Sequence, residues 1–182
     1  MKQHPFREQH PQRTFTGYYN DYHSYKKYLA SDFNHHCGYT HCIDRWFGGT
    51  RTFQIDHFKP HSKYPSLKTK YSNLVYCCSY VNRLKSDEDN TQYLDPCDTD
   101  YNLHFGRYFD GRIFGKTKSG KFMTNKLSLN LCRYAIIWNI ERLENRIKIL
   151  NEKEKQYPEL KELKSYLYKL YFVYTQQLLD LQ

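Results

Sequence analysis

Between Thr52 and Lys85 the hydrophobic period of the chain changes in a definite order, and that order fixes which side chains can meet. TFQIDHF (52–58) alternates apolar and polar residues, as a half-buried strand does. A loop with two prolines, KPHSKYPSLKTKYS, follows it. Asn73–Cys77 (NLVYC) then reads as a second strand, and Ser79–Lys85 as a short helix. The expectation is strand, loop, strand, helix. Within it lie Asp56-His57, Asn73 and the run Asn82-Arg83-Leu84-Lys85.

The flanking segments are simpler. Residues 1–15 are polar and without periodicity, and are expected to form a flexible basic arm. Asn20–Asn34 reads as a helix, because Tyr22, Tyr25, Leu29 and Phe33 recur at three- and four-residue spacing. The loop CGYTHC and the glycine turn in WFGGT lead into the first strand, and FDGRIFGKTKSGKF reads as a hairpin or paired turns around Gly111 and Gly120. Ile136, Ile140, Leu143, Ile147 and Leu150 line one face of a long helix. Pro158 opens a last helix carrying Leu160, Leu163, Leu167, Leu170, Tyr174 and Leu178, and the two are expected to pair as an antiparallel hairpin. The fold class is α+β. Residues 16–125 form the expected central domain, and 126–182 a helical extension packed on it.

Of the 182 residues, 19 are Tyr and 11 Phe, and the formal net charge is +9. A positive excess of this size attracts polyanions, because neutralising phosphates releases condensed counterions. Tyrosine serves cores and half-buried surfaces more often than base stacking. No apolar run is long enough to cross a bilayer, and the N-terminus lacks a signal peptide's apolar core, so a cytoplasmic location and reduced cysteines are expected.

The chemistry suggested by the central segment is hydrolysis of a phosphodiester. That reaction needs a base for water and a divalent cation to neutralise charge on phosphate oxygens. Adjacent strand residues point to opposite faces, so Asp56 can face a metal while His57 faces the scissile phosphate. Asn82 can supply a neutral oxygen to a hard ion such as Mg²⁺, and Lys85, on the same helix face, can contact phosphate. Each residue alone also has an ordinary reading, as loop cap, surface histidine or helix-surface amide; their joint spacing is what carries weight.

These residues resemble the signature of the HNH (ββα-metal) endonuclease family: the motif IDHFKP, the central Asn73, then NRLKSD. The third position is Asn82 rather than His, an H-N-N variant that also occurs in the HNH domains of RNA-guided CRISPR nucleases. The resemblance covers Cys37 to Asp87. A looser similarity runs through LDPC and DYNLHF to stand-alone bacterial HNH proteins, including nuclease subunits of Septu-type anti-phage systems.

The resemblance implies a ββα-metal core between an N-terminal helix and a C-terminal helical hairpin. It implies His57 as general base, Asp56 and Asn82 as ligands of a catalytic Mg²⁺ or Mn²⁺, and Asn73 as the residue holding the loop that presents His57. The alternative is a catalytically inactive subunit that binds nucleic acid or a partner.

Many HNH proteins also hold a structural Zn²⁺ on two CxxC pairs. Here the first pair is widened to Cys37-x4-Cys42, and Cys78 stands where the second begins, with Val81 in its partner's place. Zinc completed by Cys77, Cys97 or His41 and a decayed site filled by buried thiols both remain open. Cys132, on a helix without nearby partners, reads as core. His61 and His104 are secondary candidates for the active site.

Lys59, Arg83 and Lys85, with Lys63, Lys68 and Lys70, are expected to position a nucleic-acid backbone without reading sequence, DNA being favoured and RNA an alternative. Tyr166, Tyr168, Tyr171 and Phe172, off the main stripe of the last helix, leave apolar surface for a partner subunit, an ATPase in related defence operons.

Overall fold

The computed structural model describes residues 3–154 and 156–181 and is α+β. Two small antiparallel sheets precede a helical C-terminal region. The first sheet has the order β1 (His4–Pro5), β4 (Phe105–Arg107), β5 (Ile113–Gly115). The second pairs β2 (Phe53–His57) with β3 (Leu74–Cys78), Asp56 opposite Val75 and His57 opposite Leu74. Helix α2 (Ser79–Lys85) leaves β3 without an intervening loop. The strand, loop, strand, helix order read from the sequence is therefore present, with strand ends shifted by one residue. No described helix is long and apolar enough to cross a membrane.

β3 is buried at every position, with α1 (Lys26–Asp32) and α2 packed against it beside its partner β2. The main core gathers Phe6, Tyr25, Leu29, Phe53, Leu74, Tyr76, Val81, Tyr101, Phe105, Ile137 and Ile140, among others. Aromatic residues contribute much of it, the ordinary use of tyrosine anticipated above. Of the expected N-terminal helix only Lys26–Asp32 is α-helical; Tyr22–Tyr25 forms a tighter 3-10 turn whose start Asp21 caps.

Residues 3–15, read as a flexible arm, are instead built into the fold. Pro5 pairs with Gly106, Phe6 is fully buried, and Arg13 donates to the Leu74 carbonyl and to Asp95 at 2.8 Å. Phe6 is the apolar anchor that a composition dominated by charge conceals. Gly111 (φ 91°) makes the β4–β5 turn, as expected. Gly120 does not turn the chain. It lies inside α4 (Lys118–Lys126), where a Cβ would come within 2.1 Å of the His104 carbonyl oxygen, so the close approach of two backbones requires glycine.

Helices α5 (Cys132–Lys153) and α6 (Leu160–Leu179) pair, and Leu143, Ile147 and Leu167 form a small separate core between them. Pro158 lies in the turn just before α6. Leu163, expected on the packed face, is exposed near the start of α6, beyond the small core that Leu167 helps to form. Cys132, expected in the core, is exposed at the first turn of α5.

Candidate active site

Asn73 closes the loop between β2 and β3. Its backbone carbonyl accepts from Phe58 N, its Oδ1 accepts from Lys59 N at 2.8 Å, and its Nδ2 donates to the carbonyls of Lys59 (2.9 Å) and Leu67 (3.4 Å). A side-chain amide presents a donor and an acceptor in one plane, as a peptide does, so it extends the strand ladder across the loop. Buried and fully used, Asn73 touches no open space.

The same loop returns at Lys68, whose carbonyl lies 2.9 Å from His57 Nε2. A carbonyl only accepts, so Nε2 carries the proton and Nδ1 is the basic nitrogen of the neutral ring. Tyr22 meets this ring edge-on at 4.7 Å, and His61 lies 4.6 Å away. Burial lowers the His57 pKa below 6.5, and the charges of His61 and Lys85 push the same way against the Lys68 hydrogen bond and Asp56. The ring is neutral at pH 7.

Asp56 is only 4 % exposed. Tyr39, fully buried, donates its hydroxyl to Asp56 Oδ2 at 2.6 Å. Burial and the Asp56 charge raise the Tyr39 pKa, which keeps that hydroxyl a donor. Lys85 Nζ donates to Asp56 Oδ1 at 3.1 Å and to the His57 carbonyl at 3.0 Å. Lys85, expected to reach phosphate, is thus enclosed at 0 % exposure as the counter-ion of Asp56. Helical spacing put it on the face of Asn82 correctly. What spacing could not tell is that this edge of the face turns inward.

His57, Asp56 and Asn82 line one cleft of about 200 Å³, together with Tyr22, His61 and Asp87. Asn82 Nδ2 donates to Gln54 Oε1 at 2.8 Å, which leaves its Oδ1 outside that bond. Each Asp56 oxygen keeps a lone pair beyond its one hydrogen bond. One carboxylate and one amide oxygen beside open space are a donor set suited to a hard divalent cation that retains water. A second cleft of about 370 Å³ shares Tyr22, Ile55 and Asn82 with the first and adds Lys26 and Arg51. Lys59 is tied to Asp89 at 2.9 Å, whereas Arg83, Lys63, Lys68 and Lys70 are exposed.

Sequence reasoning missed Tyr39, Tyr22, Asp87, Lys26 and Arg51. Tyr22 sat in the helix stripe and looked like core; Tyr39 carried no signal. His61, a weak candidate by sequence, lies in the cleft, while His104 is hydrogen-bonded to Thr117 Oγ1 at the start of α4 and is not among the cleft's residues.

Of the candidate zinc ligands only two come together. Cys37 and Cys78 approach to 3.9 Å, but Cys42 Sγ lies against the carbonyls of Thr40 and Tyr134, and Cys77 occupies the alternate face of β3. Among the described residues no three His, Cys, Asp or Glu side chains are grouped to hold an ion. Burial pushes Cys42 up to about 12 and raises Cys77 well above the usual thiol range, so both pack as neutral groups. All six cysteines are free thiols. His41, with Cys97 a candidate to complete the set, lies stacked on His36 instead.

No protein-family model, curated protein or solved structure matches this chain.

Proposed function

We propose that the chain is a metal-dependent endonuclease of the HNH type that hydrolyses phosphodiester bonds of nucleic acid, with DNA the favoured substrate. The observation that carries this reading is the pinning of His57 Nε2 by the Lys68 carbonyl, which reserves Nδ1 as a base in the cleft that Asp56 and Asn82 share. A neutral imidazole held in one tautomer is what a general base at neutral pH requires.

In the reaction His57 Nδ1 accepts a proton from water. The water oxygen forms a bond to phosphorus, and the bond from phosphorus to the departing ester oxygen breaks. Asp56 and Asn82 would hold Mg²⁺ or Mn²⁺, which supplies charge neutralisation for the phosphate and the leaving oxygen. Lys85 and Tyr39 fix the Asp56 carboxylate. Asn73 holds the loop that carries the Lys68 carbonyl, and so orients His57 at one remove. Lys26 and Arg51, with the exposed Lys63, Lys68 and Lys70, supply backbone-directed positive charge around the cleft. A role in bacterial anti-phage defence, beside an ATPase-type partner subunit, belongs to the same reading and rests on the resemblance alone.

A second reading has one observation in its favour. The buried Lys85 ammonium already compensates the Asp56 charge, so the site is electrostatically satisfied without a metal. A fold retained for binding, without turnover, would look the same. Incubating the protein with plasmid, single-stranded DNA and total RNA in Mg²⁺ or Mn²⁺, with EDTA and His57→Ala controls, separates the two. The nuclease reading expects metal-dependent products that fall at least ~100-fold in His57→Ala. Salt-sensitive binding without product under either ion supports the second reading.

A further inference from the structure

On another part of the molecule, residues 4–9, the loop around His36 and His41, and α5 enclose a cavity of about 210 Å³. Its wall carries Arg7, Arg142, His36 and His41, with Trp138 beneath. A narrower recess of about 40 Å³ continues from it between Arg7, His36 and His41. The fully buried Arg107 stands behind the wall and donates to the carbonyls of Phe6, Thr40 and Gly111.

Among the described residues Arg7, Arg107 and Arg142 have no carboxylate within ion-pair distance. Arg7 is nearly fully buried, and its Nε has no hydrogen-bond partner. Arg142 lies flat on the Trp138 ring at 4.3 Å, which fixes its guanidinium at the cavity. Two carboxylates line the cavity with these cations, and Asp100 and Asp95 act on Arg7 from outside it. Glu141 is bonded to His36 Nε2 at 2.9 Å, and Glu8 is exposed at the rim. The arginines also act on the neighbouring histidines: burial first, then Arg142 and Arg146, lower His4, and burial first, then His36, Arg107 and Arg7, lower His41.

Arg7 and Arg107 donate to backbone carbonyls but have no carboxylate partner, and a buried cation without a counter-ion gains from an anion in an adjoining cavity. Planar guanidiniums and the amides of Asn34 and Asn145 offer donors matched to a tetrahedral oxyanion. Asn34 (φ 47°) and His41 (φ 54°) line the cavity in left-handed conformations, a strain that ligand-holding loops often carry. We propose that this cavity binds a phosphate group, carried either by a small phosphorylated ligand or by the end of a nucleic-acid strand, at a site separate from the His57 cleft.

The test is calorimetric titration of the full chain at low salt with inorganic phosphate, pyrophosphate, and an oligonucleotide with and without a 5′-phosphate. Saturable binding of pyrophosphate is expected, weakened at least tenfold by Arg142→Ala and unchanged by His57→Ala. Asn145→Asp, at an exposed position, adds a carboxylate to the rim and is expected to weaken binding even if Arg142→Ala folds poorly. Preference for the 5′-phosphorylated strand over its 5′-hydroxyl twin assigns the group to a strand end; equal strand binding beside tight pyrophosphate binding assigns it to a small ligand. Absence of saturable binding to any of these probes, or wild-type affinity in both cavity variants, overturns the proposal. Because His57→Ala is the unaffected control, that failure leaves the nuclease reading untouched.

Discussion

The β2–β3–α2 unit and the α5–α6 hairpin use apolar residues to opposite ends. In the first, all five residues of β3 are buried, and even the charged pair Asp56–Lys85 is enclosed. In the second, Leu143, Ile147 and Leu167 form a small core of their own beyond the α5 residues Ile137 and Ile140 that join the main one, while Phe172 (63 % exposed), Tyr166 and Leu163 face solvent. Stability in the first region therefore depends on polar satisfaction as much as on apolar area, and in the second on a few methyl groups. The fold encloses its charged and polar groups and leaves apolar side chains of α6 exposed.

Substitutions in each region sharpen that contrast. The largest effect is expected from Lys85→Ala, which strands the Asp56 carboxylate in the interior and costs about 3–5 kcal/mol in urea unfolding. A loss under 1 kcal/mol would mean that Asp56 relaxes to water and the unit is looser than it looks. Leu167→Ala empties the small hairpin core and should cost about 2–3 kcal/mol. Hydrogen exchange should localise that loss to α5 and α6, with β3 amides still protected; global loss of protection would erase the distinction between the regions. Asn73→Ala removes the loop's three side-chain hydrogen bonds and should cost about 1–2 kcal/mol. If the nuclease reading holds, turnover should fall further than this stability loss explains, because the Lys68 carbonyl no longer fixes His57.

The pH dependence follows from the sign of the His57 shift. The folded ring binds its proton less readily than a free histidine, so it remains the neutral base below pH 6.5 and is protonated only as the pH falls through its lowered value. Cleavage should rise with pH, with its midpoint on the acid side of 6.5. A midpoint above 6.5 would show that burial does not govern this group. The smallest effect is expected from Phe172→Ser on α6, within about 0.5 kcal/mol for the isolated chain in thermal unfolding.

The central unit was legible because period-two strands and a short helix leave a local imprint, and Asp56, His57 and Asn82 meet at one cleft through that local geometry alone. The C-terminal hairpin was legible for the same reason, through its 3.6-residue period. Lys85 and the arm were not, since whether a charged or polar segment is enclosed depends on what packs over it from distant sequence. The rings of Phe58 and Tyr93 lie over Lys85, and Tyr101 and Phe105 pack on Phe6 of the arm.

The sequence by itself determined the order of elements from Thr52 to Lys85 and the pairing of the two long helices, because these follow from backbone periodicity. Tertiary structure alone decided which charges are inside. It turned Lys85 from a surface cation into the partner of Asp56, brought Cys37 to Cys78 while turning Cys42 elsewhere, and gathered Arg7, Arg107 and Arg142 from three segments near one cavity. Burial and Coulomb energy depend on distance in space, and no local pattern encodes that.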